Sequence, residues 1–281
     1  MVHRFGDLRD VLQLERYANL PAFADASMDT VEAILEEAGK FTSEVLAPLN
    51  TVGDKEGCAW SPDFTVKTPT GFKDAYAKLV EGGWPALGSD PAYGGQGLPH
   101  VVNLAFSEMS SSANMAFSMY PGLTHGCYSA IHVGGSDAQK ALYLPKLASF
   151  QWAGTMNLTE PHCGTDLGML RTKAVPQGDG SYKLTGQKIW ISGGEQDFTD
   201  NIVHLVLARI EGAPAGVKGI SLFVVPKFIP DAEGKPGARN TVSCVGLEEK
   251  MGIHGNSTCV IAHDESIGWL VGEENAGLKI T

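Results

Sequence analysis

No stretch of this chain is long and apolar enough to cross a bilayer as a helix. The opening residues, among them His3, Arg4, Asp7, Arg9 and Asp10, lack the continuous apolar core of a secretion signal. Cysteine is scarce and odd in number: Cys58, Cys127, Cys163, Cys244 and Cys259, with no C-x-x-C pair. That excludes a disulfide framework or a zinc ribbon and fits a reducing compartment, so a cytoplasmic location is expected. Basic charge is also short. Lys and Arg number 21 against 32 Asp and Glu, a net charge of −11, and no long basic run occurs. Phosphate neutralisation needs clustered cations, so no nucleic-acid partner is expected; membrane insertion is not expected either, for want of a spanning apolar stretch.

The common nucleotide and metal devices are missing as well. Gly94-Gly95-Gln96-Gly97 has the wrong spacing for a dinucleotide fingerprint and no apolar strand before it, and there is no P-loop. None of the eight histidines falls in an H-E-x-x-H spacing, so no metal site is expected. His204 lies in a strand-like run and reads as a structural residue on one sheet face. Cys163 has no nucleophile elbow around it, which argues against covalent catalysis there.

What is present suits a folded chain of two domains. Hydrophobic residues make up 43% of the 281 and charged residues only 19%. After Ser27, which can cap a helix, Val31, Ile34, Leu35, Ala38, Phe41 and Val45 recur at helical spacing until Pro48. Phe72, Ala75, Tyr76, Leu79 and Val80 form a second stripe, stopped by Gly82-Gly83. A third helix is predicted over about Val101 to Met109. Ser136 and Gln139 have the spacing of a capping box opening a helix to Pro145. Asp90–Pro99, dense in Gly and Pro, reads as a loop. Near Trp152 the pattern changes to short β-branched runs: Trp152–Leu158, Ser181–Thr185, Lys188–Ser192, Ile202–Ile210, Gly219–Pro226 and Thr258–His263. Gly178-Asp179-Gly180 reads as a hairpin turn and Asp231–Arg239 as an exposed loop. Helices followed by strands point to an α+β fold: an all-α domain over 1–150, then a β-barrel or sandwich-like domain over 151–275.

Two segments carry chemistry. Trp152 to Leu167 contains Thr159-Glu160-Pro161-His162-Cys163-Gly164-Thr165-Asp166. Tyr182 to Gly194 reads Tyr-Lys-Leu-Thr-Gly-Gln-Lys-Ile-Trp-Ile-Ser-Gly-Gly. With Ser136–Leu147 and Tyr93–Leu98, in this order and spacing, they resemble the acyl-CoA dehydrogenase family, whose pattern is T-E-P-x-x-G-S-D followed by Y-x-L-x-G-x-K-x-W-I-T-N. The resemblance covers nearly the whole chain. A flat flavin ring needs an apolar wall and donors at its rim. On a regular strand Trp190 and Ser192 point to one side, as do Met156 and Leu158 on the other segment. A tight loop at Gly164-Thr165 can turn backbone N–H groups toward a pyrophosphate.

The resemblance implies FAD as cofactor. It implies contacts from Met156, Leu158, Thr159, Gly164, Thr165, Trp190 and Ser192. Thr165 and Ser192 stand where the family has Ser and Thr, and both keep the hydroxyl. A narrower resemblance, carried by Asn114–Gly126 and Lys250–Cys259, is to the branch that includes 3-methylmercaptopropionyl-CoA (methylthiopropanoyl-CoA) dehydrogenases. It places Met119 and His254, with Thr165, at the substrate. Acyl-CoA is then the substrate and electron-transfer flavoprotein the expected acceptor, with a homo-oligomer at full length. The family's catalytic carboxylate belongs to a later helical domain, of which residues 276–281 would be the start. No catalytic base is therefore assigned, and Glu273 and Glu274 read as solvated loop charges. A flavin oxidase or monooxygenase on the same scaffold, and a non-catalytic remnant, stay open as alternatives.

Overall fold

The computed structural model describes residues 6–281, so His3 and Arg4 lie outside the described residues. Ser27 caps α1 (Met28–Phe41) by accepting the Thr30 N–H, and Val31, Leu35 and Ala38 are buried along one stripe. Pro48 does not end this helical stretch. A π turn over Thr42–Leu46 leads without a break into α2 (Ala47–Glu56), and this local widening of the helix accommodates Pro48. A small ribbon, β1 (Ala59–Trp60) with β2 (Val66–Lys67), precedes α3 (Phe72–Glu81) and α4 (His100–Ala113).

α5 (Met115–Gly134) is the helix that the stripe pattern does not reveal, because Pro121, Gly122 and Gly126 interrupt it. Asn114 starts it: the side chain accepts from Phe117 N at 3.0 Å and donates to Leu46 O at 3.2 Å. The capping box forms at α6 (Asp137–Ala148), with Gln139 N on Ser136 Oγ and Ser136 N on Gln139 Oε1. α6 runs three residues beyond Pro145 to Ala148.

The strands follow: β3 (Trp152–Asn157), β4 (Lys173–Pro176), β5 (Ser181–Ser192), β6 (Asn201–Ile210), β7 (Ile220–Pro226), β8 (Phe228–Pro230), β9 (Pro236–Arg239), β10 (Val242–Leu247) and β11 (Thr258–Val271). β11 pairs with β5, β5 with β4, β4 with β6, β6 with β7, and β7 with β11 again, so five strands close a ring. β3 extends it parallel to β6, and β10 lies along β11. The two runs expected over Ser181–Thr185 and Lys188–Ser192 are one strand, and β11 extends well past His263. Asp231–Arg239 is not wholly a loop, since Pro236–Arg239 pairs with β8. Gly178-Asp179-Gly180 does join the antiparallel β4 and β5.

β6 explains the junction between the helices and the barrel. Val203, Leu205 and Leu207 on one face share a core with Ile131 of α5 and Leu144 of α6. Val206, Ala208 and Ile210 on the other face pack with Leu184 and Phe223. Among the described residues no helix is long and apolar enough to cross a membrane, and all five cysteines are free.

His204 is buried on β6, its Nδ1 2.8 Å from Thr155 Oγ1, as a structural sheet residue should be. His263 is buried on β11 with neither ring nitrogen hydrogen-bonded within the protein. Burial, followed by the charge of Lys188, pushes His263 down to about 3. Burial, then His263, Lys227 and Arg239, holds His204 well below the usual histidine range. The nearby carboxylates are already engaged, Glu160 by Lys188 and Glu195 by Lys227. Both histidines are therefore neutral in the fold and gain a proton more readily once unfolded. Their contribution to stability is complete above their ordinary value of 6.5 and declines as the pH falls below it, for His263 toward about 3. The slope is about 1.4 kcal/mol per pH unit for each. Denaturant midpoints between pH 5 and 6.5 measure this, and His263→Leu is expected to remove about half the slope. A slope untouched by that change would refute the assignment.

Candidate functional site

β5 carries the centre of the site. Lys188 opposes Ile261 and Ile191 opposes Cys259, so three steps on β5 face two on β11. The extra residue lies at Trp190, whose φ is +60°. Regular alternation therefore does not carry across Trp190 to Ser192 as the sequence pattern suggested; a bulge re-aims the indole instead. A bulky side chain in the left-handed region is strained, and such strain gathers at functional positions. Trp190 is 44% exposed, and Lys250 Nζ lies 5.3 Å from its ring centre. Ser192 is half-buried and pairs with Thr258.

The turn after β3 is fastened to this strand. Ile189 N donates to Thr159 O at 3.0 Å. Glu160 and Cys163 exchange two backbone hydrogen bonds across Pro161-His162. A Cβ on Gly164 would come within 3.2 Å of Thr159 Cγ2, so the glycine permits that close approach. Thr159, Gly164 and the exposed Thr165 are thus gathered in one turn. Met156 and Leu158 share a face, as expected, but they pack on the core containing Tyr143 and Leu205.

Glu160 and Lys188 anchor this arrangement, and the sequence reading did not single them out for it. Lys188 Nζ lies 2.9 Å from Glu160 Oε1 and 2.9 Å from Leu158 O. Glu160 also accepts from Thr172 Oγ1, Thr172 N and Arg171 N. Although burial works against it, Lys188 together with the Thr172 hydroxyl and Arg171 N holds the Glu160 carboxyl below its usual range. Both stand at positions of the matched motifs, Glu160 in Thr-Glu-Pro and Lys188 two residues before Trp190, but the motifs do not say that the two pair. Donor atoms of Glu160, His162 and Cys163 lie within 4.8 Å of one another, but the Lys188 ammonium already meets the charge that a metal would need there.

Of the residues expected at the substrate, Met119 is half-buried on α5 beside Tyr120. The Tyr120 hydroxyl accepts from Ser257 N at 2.9 Å and donates to Gly255 O at 3.1 Å. It ties α5 to the segment that receives Gly193 N, just after Ser192. His254 is exposed with its nitrogens on Lys250 O (2.8 Å) and Asp54 O (3.2 Å). Those carbonyls raise its pKa, and the ring braces the loop that bears Lys250. An open groove of about 730 Å³ runs past Trp60, Lys250, His254 and Thr258. Glu273 and Glu274 are exposed, Glu274 accepting from the Tyr182 hydroxyl at 3.2 Å. Residues Gly277–Lys279 form a 3₁₀ turn.

Residues 28–151 match the acyl-CoA dehydrogenase N-terminal domain, and residues 155–265 match the acyl-CoA dehydrogenase middle domain. The chain is 49% identical over 260 residues to 3-methylmercaptopropionyl-CoA dehydrogenase of Ruegeria pomeroyi, covering 92% of this chain and 44% of that protein. It is 38% identical over 279 residues to a broad-specificity linear acyl-CoA dehydrogenase of Mycobacterium tuberculosis, covering 97% of this chain and 45% of that protein. The chain thus spans a little under half the length of these relatives. A Bacillus anthracis acyl-CoA dehydrogenase solved in complex with FAD superposes with a TM-score of 0.72 at 26% identity, over 90% of this chain and 39% of that one. With both domains matched in order and the same two-part fold, the chain belongs to the acyl-CoA dehydrogenase family.

Proposed function

We propose that this chain holds FAD for the α,β-desaturation of an acyl-CoA thioester, with a short thioether acyl group such as 3-methylthiopropanoyl as the substrate and electron-transfer flavoprotein as the acceptor. The observation that carries the reading is Trp190, an indole held outward by a strained bulge beside Ser192 and the Thr159–Thr165 turn. An exposed apolar plane with hydroxyls near it suits a flat ring with polar edges. In this reading Trp190 forms the wall, Ser192 and Thr159 offer hydroxyls to the rim, and Gly164 and Thr165 receive the pyrophosphate. Met156 and Leu158 support the turn from the core. Thr165, Met119 and His254 flank the substrate. FAD bound here would supply the hydride acceptor. The protein residues position the thioester and exclude water from it.

The kinship with 3-methylmercaptopropionyl-CoA dehydrogenase supports the thioether substrate. Titrating the purified chain with FAD tests the cofactor assignment. Saturable quenching of tryptophan fluorescence together with a perturbed flavin spectrum is expected. No saturation with a folded protein would overturn it.

A further inference from the structure

The strand that presents Ser192 does not fix it alone. The ladder between β5 and β11 shifts register between Cys259 and Ile261, and the extra residue on β5 is Trp190, two before Ser192. A bulge leaves a residue unpaired and interrupts the ladder locally. β5 then ends at Ser192, and Gly193, with a φ of +64°, turns the chain away. Ser192 thus sits on a short piece of strand between a bulge and a turn.

The missing constraint comes from Ser257, whose polar groups are all engaged. Its carbonyl accepts from Gly193 N at 2.9 Å, and its hydroxyl donates to Glu195 O at 2.7 Å. These two bonds grip the chain on the C-terminal side of Ser192, while Thr258, the next residue, pairs with Ser192 itself. Ser257 N in turn donates to the Tyr120 hydroxyl at 2.9 Å.

Tyr120 holds Ser257 from a different element. It is buried on α5, and its hydroxyl also donates to Gly255 O at 3.1 Å, so one oxygen spans the residues on both sides of Asn256. Burial keeps the phenol well above its ordinary range, so the proton needed for that donation stays in place. The ring is seated as well as the hydroxyl. It meets Phe198 edge-on at 4.8 Å, and a Cβ on Gly193 would come within 3.1 Å of Tyr120 Cδ1. Phenylalanine would fill the same space and lose only the hydrogen bonds, so the two contributions can be separated.

We infer that Tyr120 is a positioning residue for the flavin site: through Ser257 and Gly193, its hydroxyl fixes where the Ser192 hydroxyl meets the rim of the ring. This rests on the FAD reading above, and it adds to that reading a residue of the helical half that acts at a distance from the cofactor.

The test is a set of double-mutant cycles read by flavin titration, on the protein with this chain intact. Ser192→Ala is expected to lower FAD affinity about fivefold, the worth of one hydrogen bond at the rim. Tyr120→Phe should cost no more than that, about three- to fivefold, because its effect passes through Ser192. On the Ser192→Ala background it should cost nothing further, and the visible band of the bound flavin should shift alike in all three variants. Ser257→Ala cuts the next link, the bond to Glu195 O, and should show the same dependence on Ser192. It decides the route if Tyr120→Phe does not fold. A tyrosine that served the fold alone would lower the unfolding midpoint and change flavin affinity by one factor with or without the Ser192 hydroxyl. Additive losses in these cycles, or a Ser192→Ala variant that binds FAD as tightly as the unchanged protein, overturn the inference.

A second arm needs no cofactor. Amide hydrogen exchange at Gly193 should rise about tenfold in Tyr120→Phe, with the amides of β6 unchanged. Unchanged protection at Gly193 overturns the inference whatever the titrations give. If the folded protein binds no FAD, the cofactor reading itself fails, and exchange still decides whether Tyr120 holds this piece of chain.

Discussion

Replacing Glu160 with glutamine is expected to destabilise the barrel by about 3–5 kcal/mol. Among the described residues Glu160 is the carboxylate paired with Lys188, whose side chain is fully buried and would keep the Leu158 carbonyl as a partner. A buried ammonium without a counter-charge is far worse than the original pair. Lys188→Met should cost less, at the lower end of that range, because Glu160 retains Thr172 and Arg171 as donors. Guanidinium unfolding at neutral pH measures both. The ordering is as informative as the size: equal losses, or losses below about 1 kcal/mol, would show that the pair does not hold the turn. The acid dependence has its own sign. Glu160 is held below its ordinary value of 4.5, so the pair contributes fully above that pH and is lost as the pH falls further. The histidine loss starts near 6.5 and continues through this window, so only the interval between 6.5 and 4.5 reports the histidines without Glu160.

Trp190→Gly should lower flavin affinity about ten- to hundredfold while leaving the barrel as stable as before or slightly more so. Glycine accepts a φ of +60° without strain, and the indole it removes is nearly half exposed, so little buried area is lost. Trp190→Phe should bind flavin with an intermediate affinity, since it keeps an aromatic face of smaller area. An indole that served only the core would behave in the opposite way, with a clear fall in the unfolding midpoint and no change in flavin titration. The combination of unchanged stability and lost affinity therefore assigns the residue to binding.

The parts of this fold that were legible from sequence are those where one local signal sufficed. Ser27 and the Val31–Ala38 stripe, or Ser136 with Gln139, state a helix start in the residues themselves. α5 was hidden because Pro121, Gly122 and Gly126 break its apolar stripe, although Asn114 caps it locally on Phe117 N. β4 and β10 are short and take their strand character from β5 and β11 beside them. At the site, Thr159, Gly164 and Trp190 could be named from the resemblance. The bulge could not, because the extra residue exists only relative to the β11 register. The same holds for His254: its two hydrogen bonds go to carbonyls on separate segments, so a motif match could suggest a substrate contact but not the bracing role.

The closed ring also sets an order of events as the chain leaves the ribosome. Among the described strands β11 comes last, and it pairs with β5, β7 and β10 at once. Until it emerges, β5 and β7 each present an unpaired edge, the kind of surface that recruits strands from other molecules. The helices are complete by Ala148, well before any of these strands. They offer Ile131 and Leu144 as an early docking face for β6, which can hold the growing sheet in place until β11 arrives. Crowded translation of this chain is therefore most vulnerable to aggregation in the interval between β7 and β11, and a pause in that interval would be more harmful than one earlier.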